Sequence, residues 1–390
     1  MYKKIYLRLF KKKLIKNYKE FCAHKRGHAL LYFKTDPMMV KSLAAKYVHT
    51  NLWEVLEISK ILNKLGYWVD VLDRDISAAD LKKIEDKYDI FIGLGAGNSG
   101  KFFSDISAKL TKAVKIFYAC GPEPEESNRL IFERYEYFNK RHPGNKAAVR
   151  RLITKVNMAA AIKNTDVIFC IGNDFSIGTY AKFNKPIYRI NPSTSPNIKT
   201  GIEDIMLKNK NKFLYFGGNG NIVKGLDLAV EVFSGLPELD LYACSPREED
   251  FDEIYKDLLE RSKNIHFMGF IDVAGKKFND LTKECGFVLL PSCSEGIATS
   301  VVTCIRKGLV PVVTKESGID LSDFGFLIES IDIEKLKEFI VKVSNISDED
   351  FKNRVLKTYS DSFKYTQAKF SEMFELALID VILKNKQLNK

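Results

Sequence analysis

The chain has 390 residues, 61 Lys plus Arg against 50 Asp plus Glu, and a formal net charge of +11. That length allows two domains of about 100–200 residues each. With 45% apolar residues the chain can bury full cores, which excludes a disordered, collagen-like or coiled-coil protein.

The charge surplus is local. Residues 1–26 carry ten basic residues and one acid, Glu20, so the remainder is nearly neutral. A nucleic-acid-binding body carries a basic face of its own, so no nucleic-acid partner is expected. Within residues 2–19, Tyr2, Ile5, Tyr6, Leu9, Phe10 and Leu14 recur at helical spacing with lysines between them. This predicts a basic amphipathic helix on an anionic membrane surface, and a cytoplasmic protein peripheral at the inner face of the cell membrane. Lys11, Lys12 and Lys13 interrupt the apolar positions, so no secretory signal is expected, and no apolar run reaches the ~18 residues of a spanning helix.

From residue 28 short apolar runs alternate with amphipathic segments. Strands are predicted at 28–34, 67–73, 89–95, 114–121, 166–172 and 186–190. Helices are predicted over 51–65 and 101–110, and the charged stretch 125–156 reads as helical with a break at His142-Pro143-Gly144. The polar, Pro-containing stretch 191–212 reads as a linker. The alternation then restarts, with strands at 212–218, 239–245, 264–270, 286–292 and 309–314. Helices follow near 225–233 and 298–307, and a last one spans 365–384.

Continuous apolar strands separated by helices are the mark of parallel sheets covered on both faces. The fold class is therefore α/β, with two doubly wound Rossmann-like domains facing a cleft. The predicted division is a basic arm over 1–27, a first domain over 28–195 joined by the C-terminal helix 365–390, and a second domain over 196–364. The seven cysteines are odd in number, show no C-x-x-C spacing and sit mostly in apolar runs. They read as small core residues in a reduced compartment.

Three turns carry candidate chemistry. Gly95-Ala96-Gly97-Asn98-Ser99-Gly100 follows a strand and matches a dinucleotide fingerprint on paper, with Glu123 near the ribose-binding offset. It follows the third strand of its domain rather than the first, which favours an ordinary turn over an NAD site. Phe216 to Gly225 is glycine-rich and places Lys224 at the start of a helix, a combination that suits phosphate oxygens. Ser294-Glu295-Gly296 ends a buried strand just before another helix. Lys224 and Glu295 thus lie at carboxyl ends of strands in one sheet, where α/β sites form.

Residues 213–320, with FLYFGGNGNIVKGLDLAVEVF, NIHFMGF and FVLLPSCSEGIATSVVTCIRKGLVPVVT, resemble the donor half of GT-B glycosyltransferases, most closely the retaining family 4. The resemblance implies a sugar transferred from a UDP- or GDP-linked donor to a glycan or lipid-linked acceptor, in surface polysaccharide or glycoconjugate synthesis. It implies no cofactor and no metal, and Asp73-Arg74-Asp75 reads as solvated turn residues. It assigns Lys224 to the donor diphosphate and Glu295 to the donor sugar. Gly217, Gly218, Asn219, Gly225, Ser294, Gly296, Ile297, Ala298, Thr299 and Ser300 then surround the donor. Two departures stand out. Thr303 occupies the place of the second motif glutamate, and Asn219 or Gly220 stands where the family has an arginine. On the acceptor side the candidates are His49, also a candidate base, with Asn51, Gly97, Asn98, Glu123, Asn173 and Asp174. The alternatives are an NAD-dependent oxidoreductase using Gly95 to Gly100, and a non-catalytic GT-B interaction protein.

Overall fold

The computed structural model describes residues 13–18, 26–39, 50–94, 100–145, 147–155, 157–195, 198 and 200–388. Two sheets dominate. The first contains β1 (Leu14–Tyr18), β2 (Gly27–Phe33), β3 (Tyr67–Asp73), β4 (Ile90–Leu94), β5 (Val114–Ala119), β6 (Val167–Cys170) and β7 (Ile187–Arg189), in the order β1-β3-β2-β4-β5-β6-β7. Strands β2 to β7 pair in parallel, whereas β1 pairs antiparallel with β3. The second contains β8 (Asn209–Phe216), β9 (Asp240–Cys244), β10 (Ile265–Phe267), β11 (Cys285–Leu290), β12 (Val310–Val313) and β13 (Phe326–Leu327), in the order β10-β9-β8-β11-β12-β13 and parallel throughout.

Four of the parallel strands are buried end to end because both faces are covered: every residue of β4, β6, β11 and β12 is buried. In the first sheet an aromatic file, Phe91, Phe103, Phe117 and Tyr180, fills one face with ring centroids 5.1–6.2 Å apart. Each such buried side chain contributes about 1.5–3 kcal/mol relative to exposure. The last helix, Gln367–Leu388, lies on the other face. Phe370 meets Trp53 edge-to-face at 5.4 Å, and Phe374 meets Phe169 at 5.2 Å and Tyr118 at 6.2 Å. The C-terminus therefore returns to the first half of the chain.

Several expectations are corrected. The stretch 191–212 read as a linker holds the helix Ile202–Met206 and the start of β8. Residues 14–18 form an edge strand, not part of a helix: Leu14 and Ile15 pair with Leu72 and Val71, where they cover the edge of β3. Residues 1–12 lie outside the described residues, so the rest of that expectation does so too. The helix read over 125–156 is Pro124–Arg141 alone, followed by a turn and irregular chain, because His142 ends it ahead of Pro143 and Gly144. Asp73 is buried rather than solvated, and its Oδ2 accepts from the Thr35 N–H at 3.0 Å and the Thr35 hydroxyl at 2.9 Å.

Among the described residues no helix is long and apolar enough to cross a membrane, and no cluster of His, Cys, Asp or Glu could hold a metal ion. The described cysteines are free thiols; Cys170, Cys244, Cys285 and Cys304 are buried, Cys293 is half-buried and Cys120 is exposed.

Candidate functional site

In the second sheet the strand order reverses between β8 and β11, its two central strands. An open sheet leaves a crevice at that point, beyond the carboxyl ends of the strands. The turn after β8 carries Lys224, and the turn after β11 carries Glu295. Gly225, at φ 73°, caps the helix Leu226–Ser234. A Cβ on it would lie 2.4 Å from the Pro291 carbonyl oxygen, so the two turns are in direct contact. Lys224 Nζ donates to Glu295 Oε1, and both side chains are largely buried. Ser292 Oγ reaches the same carboxylate oxygen at 3.4 Å, and Arg151 Nη2 lies 3.5 Å from Glu295 Oε2.

Burial works against the charge on Glu295. Arg151 and Lys224 outweigh it and hold the carboxyl below the usual carboxylate range. The same burial acts against the Lys224 ammonium. The result is a cation–anion–cation cluster with one net positive charge, in which the Lys224–Glu295 pair is largely shielded from water and Arg151 is partly exposed.

The cluster faces the first half of the chain across a cavity of about 300 Å³. Cys120, Gly121, Pro122, Ser127 and Ile131 line one wall; Ser294, Glu295 and Gly296 line the other. That size is at the lower end for small-molecule sites. Cys120 opens to this cavity, yet protein surrounds its thiol, and burial pushes its pKa up. The two walls touch at the rim. Ser127 and Ser294 hydroxyls lie 2.7 Å apart, and a Cβ on Gly296 would sit 2.5 Å from the Cys120 carbonyl oxygen and 2.7 Å from that of Ile171. Only a glycine lets the halves approach this closely.

A second contact braces the halves beside the site. Arg134, on Pro124–Arg141, donates from Nη2 to both oxygens of Asp227 at 2.5 Å; both residues are buried. Arg141 Nη2 adds a bond to Asp227 Oδ2 at 2.6 Å, and its Nε bonds Glu231 Oε2 at 3.0 Å. His142 Nε2 and the Tyr255 hydroxyl also meet Glu231 Oε1.

The structure rearranges several expected roles. In the glycine-rich turn, Gly218 and Asn219 are exposed, but Gly220 and Asn221 donate their N–H groups to the Glu248 carboxylate at 2.6 and 3.1 Å, and the Gly217 N–H goes to the Cys244 carbonyl. The turn is thus braced from within rather than open to an anion along its whole length. After β11 the N–H groups of Glu295 and Ala298 donate to the carbonyls of Glu316 and Ser317. Ile297 is buried, and Thr299 and Ser300, half-buried, open the helix Thr299–Ile305. Thr303 Oγ1 donates back to the Thr299 carbonyl at 2.7 Å, so its one hydroxyl proton is committed to its own helix.

On the other side, Glu123 is buried and caps Pro124–Arg141, accepting from the Glu126 N–H at 3.0 Å and from Lys182 at 3.2 Å. Asn173 donates across the halves to the Lys315 carbonyl at 2.9 Å, while Asp174 is exposed and pairs with Arg189 at 2.5 Å. Glu123 and Asp174 therefore serve structural pairings. His49, Gly97, Asn98 and the rest of Gly95 to Ser99 lie outside the described residues, as does the side chain of Asn51.

Several charged groups were missed, Arg151 and Glu54 among them. Arg151 comes from the stretch read as helix. Glu54, fully buried on the helix Thr50–Lys64, receives the Tyr118 hydroxyl at 3.4 Å, and burial raises its pKa to about 7. An acid among the apolar residues Trp53, Val55 and Leu56 was the available signal.

No protein-family model matches the chain, and no curated protein sequence matches it. Solved structures do. Anabaena HepE in complex with UDP superposes with a TM-score of 0.61 at 11% identity, covering 90% of this chain and 100% of that one. Sucrose-phosphate synthase from Thermosynechococcus elongatus gives 0.61 at 10% identity, over 92% and 100%. WaaG, a glycosyltransferase involved in lipopolysaccharide biosynthesis, gives 0.55 at 16% identity, over 90% and 98%. The chain has the GT-B fold. In GT-B terms the Lys224–Glu295 pair stands at the switch point of the second sheet, and the 300 Å³ cavity lies in the cleft between the halves.

Proposed function

We propose that this chain is a glycosyltransferase that moves a sugar from a nucleoside-diphosphate donor, UDP- or GDP-linked, to a glycan or lipid-linked acceptor, with retention of anomeric configuration. The observation that carries the reading is the buried Lys224–Glu295 pair at the cleft of a GT-B fold. The bound UDP of the HepE structure and the lipopolysaccharide role of WaaG support it and favour surface polysaccharide or glycoconjugate synthesis.

In this reading the donor diphosphate lies against Lys224. As the sugar–oxygen bond breaks, negative charge grows on the leaving phosphate, and the ammonium stabilises it where water is scarce. Glu295 accepts hydrogen bonds from sugar hydroxyls, and Ser127 with Cys120 to Pro122 borders the acceptor side. No cofactor or metal takes part. The basic residues of 1–26 hold the enzyme at an anionic, cytoplasmic membrane face where a lipid-linked acceptor resides.

Hydrolysis of a panel of UDP-, GDP- and ADP-sugars, with nuclear magnetic resonance of the released anomer, tests this. Lys224→Ala and Glu295→Ala should each lower donor turnover at least 100-fold, the loss of one well-placed electrostatic group in a site of this kind. Failure of every nucleoside diphosphate to bind, or full turnover in both variants, refutes the reading. Flotation with phosphatidylserine vesicles tests the membrane address: removal of residues 1–12, which carry five of the ten basic residues, should weaken binding at low salt while leaving β1 in place.

A further inference from the structure

The segment 147–153 of the first half straps over the glycine-rich turn of the second. Arg150 binds Asp250 with two bonds at 2.6 and 2.8 Å, and the Ala148 N–H donates to the same carboxylate at 2.8 Å. Arg150 Nε also lies 3.6 Å from Glu248, the acid that holds the Gly220 and Asn221 N–H groups. On the other side, Ile153 exchanges two 2.8 Å bonds with the Asn128 side chain. Arg151 is therefore clamped from both directions.

Its own backbone has φ 68°, a left-handed conformation that costs free energy for any residue with a Cβ. The side chain reaches the second domain. The shaft of Arg151 crosses Gly220 so closely that a Cβ there would lie 2.7 Å from Arg151 Cδ. The guanidinium ends 3.5 Å from the Glu295 oxygen that Lys224 does not hold, on the wall of the 300 Å³ cavity.

We propose that Arg151, reaching across from the first domain, is the second cation of the donor-diphosphate site, and that Glu295 holds both cations until the donor takes its place between them. This role rests on the reading above. A diphosphate ester carries two negative charges, which Lys224 and Arg151 match. The planar guanidinium can offer paired N–H groups to phosphate oxygens, which a lysine cannot. Exchange of one carboxylate for a diphosphate frees Glu295 to accept from sugar hydroxyls. Donor binding thereby depends on the strap, and so on contact between the two halves.

Calorimetric titration with UDP, GDP and ADP, and with UMP, GMP and AMP, tests the role. For whichever diphosphate the wild-type protein binds, Arg151→Ala should weaken binding about 10- to 100-fold, the strength of hydrogen bonds to a charged group. The matching monophosphate should change less than threefold. Arg151→Lys, which keeps charge without the fork, should fall between. Diphosphate binding in R151A within twofold of wild type, or an equal loss for the monophosphate, overturns the proposal, with circular dichroism confirming that the variant folds. If wild-type protein binds none of the three diphosphates, the donor reading itself fails; if it binds one and R151A binds it equally, only the role of Arg151 fails.

Discussion

Glu54 makes the stability of the first domain depend on pH in an unusual direction. Its carboxyl is fully buried, and burial raises its pKa from 4.5 to about 7; the Tyr118 hydroxyl, the Ser193 backbone and Lys34 only partly offset this. Below pH 4.5 both the folded and the unfolded chain hold the proton. Between 4.5 and about 7 the folded chain holds it and the unfolded chain releases it, so the group's contribution falls as pH rises, and above 7 it is constant. At 1.36 kcal/mol per pH unit the loss over that interval is about 3 kcal/mol. Glu54→Gln keeps the shape and removes the titration. The two tryptophans, Trp53 and Trp68, both lie in the first domain, so their fluorescence in urea reports its unfolding locally. Measured at pH 5 and pH 8, the stability difference between E54Q and wild type should shift by about 2.5 kcal/mol in favour of the variant at pH 8, because pH 5 already lies about half a unit into the interval. A difference that stays constant across that range, or shifts the other way, refutes the assignment of a buried, protonated Glu54.

Two further expectations concern the contact between the halves. Asp227→Ala removes the carboxylate shared by Arg134 and Arg141 and leaves the buried Arg134 guanidinium uncompensated. The cost should be about 3–5 kcal/mol in urea unfolding, and a loss below 1 kcal/mol would show that the pair does not brace the halves. Gly296→Ala places a methyl 2.5 Å from the Cys120 carbonyl, so the halves must separate or the turn must shift. The strain should cost about 1–3 kcal/mol, raise the radius of gyration in small-angle X-ray scattering and lower donor turnover; wild-type values of all three would show that the walls do not meet there.

Much of the fold was legible because burial on both faces writes itself into composition. Ile90–Leu94 and Cys285–Leu290 are apolar because helices cover them above and below, and no partner need be known to see it. Strand β1 was not legible for the converse reason. Leu14, Ile15 and Tyr18 are only half-buried at a sheet edge, and their spacing fits a helix as well as a strand. What decides between them is the pairing with β3 more than fifty residues away. The start of β8 was hidden in the same way: Lys210 looks like linker sequence, yet its ammonium donates to the Ile346 carbonyl at 2.9 Å.

The site divides along the same line. Lys224 and Glu295 could be found because each lies in the turn that follows a strand of one sheet, and strand order alone brings them together. Arg151, Glu248 and Asp227 act through contacts between turns or between halves, and no local pattern encodes those. The arginine that the glycine-rich turn lacks was sought at Asn219 or Gly220, beside the lysine in sequence. The structure brings a guanidinium to that turn from some seventy residues upstream, through a strap held by Arg150 on Asp250. A cation supplied this way reaches Glu295 only while the halves are in contact. The departure at Gly220 and the closeness of the two domains are then one design: the glycine removes the side chain that would block Arg151, and the strap keeps Arg151 in the gap.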